Sequence, residues 1–155
     1  MVKIKEILIG TNNKGKYKEI CDLLPSNIQK YSPKEFNITS PKEIGKNFKK
    51  NSFIKASYFS KKTNLICLSD DSGLEIDFLK GEPGIFSSRW GGKRKNFNLA
   101  INKVYKKMSK VKKNWNNNNK ARFICYMTLF WPNGKSYSSL GIVRGRISFK
   151  KMRFK

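Results

Sequence analysis

Residues 6–24 run Glu6-Ile7-Leu8-Ile9-Gly10-Thr11-Asn12-Asn13-Lys14-Gly15-Lys16-Tyr17-Lys18-Glu19-Ile20-Cys21-Asp22-Leu23-Leu24. Ile7 to Ile9 form a short apolar run that ends at Gly10, as a buried strand does. Thr11 to Lys16 is dense in loop formers. Tyr17 to Leu24 then reads as a helix with Ile20, Leu23 and Leu24 on one face, and Pro25 stops it. A strand, a polar loop and a helix in this order open an α/β fold. Gly15 and the asparagines tolerate unusual backbone angles, and N–H groups at a helix start can hold an anion. The loop is neither a Walker A sequence nor a GxGxxG turn. A phosphate cradle and a plain helix-capping turn both remain open from these residues alone.

Further along, Ile28 to Tyr31 reads as a second strand, and Phe48 to Lys62 as a helix with Phe48, Phe53/Ile54 and Phe59 on its apolar stripe. Asn64 to Leu68 reads as a strand that leads into an acidic turn, Ser69-Asp70-Asp71-Ser72-Gly73. Leu74 to Phe78 alternates apolar and polar, as a half-buried strand does, and Gly81 to Gly84 is a turn. Phe97 to Met108 is a long helix, and Lys112 to Lys120 a surface loop. Phe123 to Trp131 and Tyr137 to Ile142 flank Pro132-Asn133-Gly134, which predicts a hairpin. Alternating elements early and strands late give an α/β, or mixed α+β, class with a mixed sheet. Residues 1–155 read as a single domain, long enough for a hydrophobic core.

The chain carries 34 Lys+Arg against 10 Asp+Glu, a formal net charge of +24. Five of those acids, Asp70, Asp71, Glu75, Asp77 and Glu82, fall in one stretch. Adjacent carboxylates either raise one pKa or require a cation, so the pair points to a divalent metal and a phosphorylated ligand. The strand end before them is where open α/β sheets place ligands. Glu43 is the only acid between Glu35 and Asp70, and Asn51 and Lys55 share one helix face at i,i+4. The basic charge spreads along the whole chain. That favours compositional bias over a dedicated nucleic-acid surface, while leaving non-specific polyanion binding open.

Histidine is absent, which excludes a His-based triad and His-ligated zinc. Cys21, Cys67 and Cys125 are far apart, against a disulfide framework or zinc site. No apolar run reaches the roughly 20 residues that span a bilayer. Met1 to Glu6 lacks a secretory pattern, so the expected location is cytoplasmic with no membrane partner.

Four blocks taken together resemble the inosine triphosphate pyrophosphatase family. Ile7 to Ile20, ILIGTNNKGKYKEI, is similar to its TNNxGKxxE opening. Gly45 to Ala56, GKNFKKNSFIKA, resembles its GxTFxENAxxKA helix. Leu68 to Trp90, LSDDSGLEIDFLKGEPGIFSSRW, resembles its DDSGLxVxxLxGxPGxxSaRY block, and Ala121 to Lys135 its ARFxC strand and hairpin.

The resemblance implies an elongated α/β fold with a long mixed sheet flanked by helices, usually as a homodimer. It implies Mg²⁺-dependent hydrolysis of non-canonical purine nucleoside triphosphates, ITP, dITP and XTP, to the monophosphate and pyrophosphate, a house-cleaning of the nucleotide pool. By that resemblance Thr11, Asn12, Asn13, Gly15 and Lys16 hold the triphosphate and Lys55 contacts phosphate. Glu43 and Asp71 ligate Mg²⁺, Asp71 also accepts the proton from water, and Ser72 contacts substrate.

Two departures stand out. Lys50 replaces an acid of the family helix. The family's GFGYDP and SHR segments, which read the base, have no counterpart in the 155 residues, so the chain reads as a C-terminally truncated member. The alternative is an impaired member that binds nucleotides or polyanions without useful turnover.

Overall fold

The computed structural model describes residues 4–92, 96–111 and 119–148. Five strands and four α-helices run along these residues. They are β1 (Glu6–Ile9), α1 (Lys14–Leu23), β2 (Gln29–Tyr31), α2 (Phe48–Thr63), β3 (Cys67–Ile76), α3 (Ser87–Trp90), α4 (Phe97–Val111), β4 (Lys120–Phe130) and β5 (Ser136–Arg146). The strands form one sheet in the order β2-β1-β3-β4-β5. β1 pairs in parallel with β2 (Ile7 opposite Lys30) and with β3 (Leu8 opposite Cys67). The α/β class with a mixed, helix-flanked sheet is as expected from the sequence.

The chain divides into two compact units, residues 1–71 with 126–140, and residues 72–125 with 141–155. In the first unit the strand period of two sorts the side chains between two helices. Ile7 and Ile9 of β1 face one way and pack with Ile20 of α1, Leu68 of β3, and Met127 and Leu129 of β4. Leu8, Cys67 and Phe130 face the other way and pack with Ala56 and Phe59 of α2. A hydroxyl chain ties that second side together, from buried Ser52 and Thr128 out to exposed Ser138: Ser52 Oγ lies 2.8 Å from Thr128 Oγ1, which lies 2.9 Å from Ser138 Oγ. In the second unit Ile76, Leu79, Val104, Met108 and Ala121 form the core, with Trp90 packed against it.

Several local expectations are met closely. α2 spans the expected residues, and Asn47 caps its start by accepting from Lys50 N–H. The 132–134 turn closes a hairpin, with Trp131 N–H donating to Lys135 O at 2.9 Å. Its strands are longer than expected, and β5 is exposed along its whole length. α1 starts three residues earlier than its apolar face suggested, because Asn13 caps it.

The buried face of α2 is more polar than predicted. It carries Asn51, Ser52, Lys55 and Ser60 beside Phe48, Ala56 and Phe59, while Phe53 and Ile54 are only half-buried. The stretch 112–118 lies outside the described residues.

One expectation is wrong. Ser69 to Gly73 is no turn. It is the middle of β3, a single strand running from Cys67 to Ile76. Ser, Asp and Gly are poor strand formers alone, but pairing and buried partners override local preference. The strand then ends sooner than expected, with Asp77 to Leu79 in a 3₁₀ turn.

Candidate active site

The site grows from the handover between β1 and α1. Gly10 closes β1 and leaves no room for a side chain. A Cβ there would stand 2.7 Å from Cys67 Sγ and 2.9 Å from the Phe59 ring. Ser69 Oγ donates to Gly10 O at 2.7 Å, so the loop start is fastened to β3. Thr11 Oγ1 then accepts from Asn13 N–H at 3.2 Å. Asn13 Oδ1 accepts from Gly15 N–H at 2.9 Å and Lys16 N–H at 3.3 Å, the standard satisfaction of a helix's orphan donors. Asn12 Nδ2 donates to Ser40 Oγ at 3.0 Å. Thr11, Asn12, Asn13, Lys14 and Tyr17 line a concavity of about 180 Å³ together with Ser32, Lys34 and Glu35. Burial raises the Tyr17 hydroxyl to about 12, so it stays a neutral hydrogen-bonding group there.

β3 brings the acids to this loop. Because successive residues of a strand point to opposite faces, Asp70 and Asp71 serve different sides. Asp70 takes the α1 side, where Lys16 Nζ lies 2.6 Å from its Oδ2. Asp71 takes the α2 side. Asn51 Nδ2 donates to its Oδ2 at 3.0 Å, and Lys55 Nζ lies 3.7 Å from its Oδ1. Lys55 also reaches Glu43 Oε1 at 3.0 Å, so its ammonium stands between two carboxylates. Both aspartates are buried, at 4% and 6% exposure. Burial pushes the Asp71 carboxyl above its ordinary range, and Glu43 adds to this, while Lys55, the Asn51 hydrogen bond and Lys16 pull the other way.

The structure thus gathers Thr11, Asn12, Asn13, Gly15, Lys16, Glu43, Lys55 and Asp71 within the first unit, all named in advance from the sequence. Ser72 follows Asp71 in β3 and opens the second unit, half-buried. The two paired acids point to opposite sides of β3, and each has its own lysine. Three contributors were missed: Asp70 as the partner of Lys16, Gly45, and Asn51 as the partner of Asp71. For Asn51 the signals were the helix face it shares with Lys55 and the poor helix-forming character of an asparagine, neither of which names Asp71 as its partner. Lys50, standing where the family has an acid, lies 5.4 Å over the Phe53 ring and so takes a packing role.

A roomier groove of about 350 Å³, bordered by Leu23, Leu24 and Met127, has no ionisable acid or base in its wall apart from the Tyr137 hydroxyl. It offers little for the chemistry of the acids. Among the described residues no helix is long and apolar enough to cross a membrane. Cys21, Cys67 and Cys125 are free thiols, and burial holds the Cys67 thiol well above its usual range.

Comparison with known proteins identifies the family. The model of the Ham1 family matches residues 7–154. A dITP/XTP pyrophosphatase of Rhodospirillum centenum is 34% identical over 144 residues, covering 92% of this chain and 70% of that protein. One from Bartonella quintana is 38% identical over 146 residues, covering 91% and 67%. Among solved structures, a HAM1 protein from Coxiella burnetii superposes with TM-score 0.84 at 31% identity, covering 95% of this chain and 75% of that one. The Staphylococcus aureus Ham1 protein does so with TM-score 0.81 at 30% identity, covering 96% and 74%. The resemblance carried by the four sequence blocks is therefore borne out, and this chain is a member of the Ham1 family.

Proposed function

We propose that the chain hydrolyses non-canonical purine nucleoside triphosphates, dITP, XTP and ITP, to the monophosphate and pyrophosphate. The observation that carries the reading is Asp71, a buried carboxylate held by Asn51 and Lys55 beside Glu43. The names of the Rhodospirillum and Bartonella relatives support the substrate class.

In this reaction water attacks the α-phosphorus, the bond to the α,β-bridging oxygen breaks, and pyrophosphate leaves. The water must lose a proton, and Asp71 accepts it. Its raised pKa makes it a stronger base than an exposed aspartate. Lys16 and Lys55 hold the phosphates through charge, and the Thr11–Lys16 loop forms the wall against which they sit, with the N–H groups of Thr11, Asn13, Gly15 and Lys16 already engaged within the fold. Asn13 acts by shaping that loop, since its Oδ1 is already used at the cap. Asn12 and Ser72 supply neutral contacts. Both lysines end on carboxylates here, so an incoming triphosphate competes for them with Asp70, Glu43 and Asp71.

The residues fit Mg²⁺. Glu43 and Asp71 converge on one cationic point, taken here by Lys55 Nζ, and a pair of carboxylates with substrate phosphates and waters suits this hard ion. When bound, Mg²⁺ supplies charge neutralisation on the phosphates. As part of the same proposal, the enzyme works in the cytoplasm as a homodimer, which sedimentation analysis checks.

The deciding experiment measures pyrophosphate release from dITP, XTP, ITP, ATP and GTP with Mg²⁺, beside Asp71→Asn. Release from the first three well above both canonical nucleotides and the mutant is expected. Equal rates for wild type and Asp71→Asn would sink the reading.

A further inference from the structure

Asn51 sits in the first turns of α2, 1% exposed, with no role assigned above beyond its contact to Asp71. Both ends of its amide are engaged. Its Oδ1 accepts from Gly45 N–H at 2.8 Å, and its Nδ2 donates to Asp71 Oδ2 at 3.0 Å. A backbone N–H can only donate, so Gly45 fixes the orientation of the amide and turns the NH₂ toward Asp71. Gly45 itself is cut to fit. A Cβ there would stand 2.5 Å from Asn51 Oδ1, 3.0 Å from Asn51 N and 3.0 Å from Lys50 Cβ. The 40–46 segment that carries Glu43 can approach α2 this closely only because residue 45 has no side chain.

We propose that Asn51 is a positioning residue for the reaction: through Gly45 on one side and Asp71 on the other, one buried amide fixes the two acids, Glu43 and Asp71, relative to each other. By occupying Asp71 Oδ2 it leaves Oδ1, the oxygen facing Lys55, for the chemistry. The inference rests on the hydrolase reading above. An amide that merely satisfied the core would give a different result on substitution. Activity would then fall only in proportion to the protein left folded.

Two variants separate these cases. Asn51→Asp keeps the shape and the acceptor for Gly45 N–H but replaces the donor to Asp71. Gly45→Ala leaves Asn51 chemically intact and displaces it. The full chain is assayed with Mg²⁺ and dITP, with rates expressed per folded molecule from circular dichroism. Asn51→Asp is expected to lower kcat about 100-fold with KM within about threefold, as misplacement of a reacting group does. Gly45→Ala is expected to lower kcat about tenfold and to weaken Mn²⁺ binding, read by electron paramagnetic resonance without turnover, by a similar factor.

A kcat for Asn51→Asp within about threefold of wild type overturns the proposal, given the size of effect that such contacts carry. So does a loss in both variants that tracks the unfolded fraction. If Asn51→Asp does not fold, Gly45→Ala decides alone. If wild type releases no pyrophosphate, the hydrolase reading fails, and an unchanged Mn²⁺ affinity in Gly45→Ala then overturns the positioning role separately.

Discussion

Adding one methyl group at Gly10 tests how tightly the loop start is built. The alanine Cβ would lie 2.7 Å from Cys67 Sγ, 2.9 Å from Phe59 Cδ2 and 3.1 Å from Ser69 Cβ. All three neighbours are fully buried, on β3 and α2, so none can swing into solvent. Inserting a methylene into a packed core costs roughly 1–3 kcal/mol. Two contacts below 3.0 Å put Gly10→Ala in the upper half of that range, about 2–3 kcal/mol. At about 2–4 °C per kcal/mol for a chain of this size, Tm should fall by about 4–12 °C.

The crowding makes a second, sharper demand. Cys67→Ala removes the nearest atom, so the double variant should recover at least about 1 kcal/mol relative to the sum of the single costs, within the coupling seen for touching residues. Urea denaturation of the four proteins measures every term. Additive costs within about 0.5 kcal/mol, or a Gly10→Ala protein as stable as wild type, would refute the close packing of β1 against β3 and α2.

The remaining predictions concern the charged groups. A cycle of Lys16→Met and Asp70→Asn should give a coupling of about 1–3 kcal/mol, because the pair is short and Asp70 is buried, and a coupling below about 0.5 kcal/mol would count against it. In chelator, Asp71→Asn should raise Tm at neutral pH. The folded carboxyl has a pKa above its free value, so the fold binds that proton more tightly than the unfolded chain does, and ionisation at neutral pH works against folding. The advantage of the asparagine should be constant above the folded pKa, shrink as pH falls through it, and vanish below the free value of 3.8; an advantage that grows on acidification would show the sign to be wrong.

Much of the fold was readable because it rests on local pattern. The apolar run Ile7–Ile9, the stop at Pro25 and the Asn133-Gly134 turn each act over a few residues. The acidic segment was misread because its conformation is decided from outside. Ser69 to Gly73 carries turn-forming residues, yet Lys16 and Asn51, 54 and 20 residues away, hold its carboxylates. No local rule reports such partners.

The same distance hid the division of labour between Asp70 and Asp71. It becomes plain only when strand alternation is set against a helix on each side. Asn51 left a trace, an asparagine where a helix former belongs, but the trace does not say which groups it joins. The apolar stripe assigned to α2 was too simple for a related reason. That helix buries polar groups because it faces the site.

Lys55 has a consequence for how the protein matures. Many metal sites cannot assemble without their ion, since bare acids repel one another until it arrives. Here the ammonium lies between Glu43 and Asp71 and screens that repulsion from within the chain. On the proposed function, a newly made molecule therefore has Glu43 and Asp71 already gathered before Mg²⁺ and nucleotide arrive, and needs no ion to bring them together.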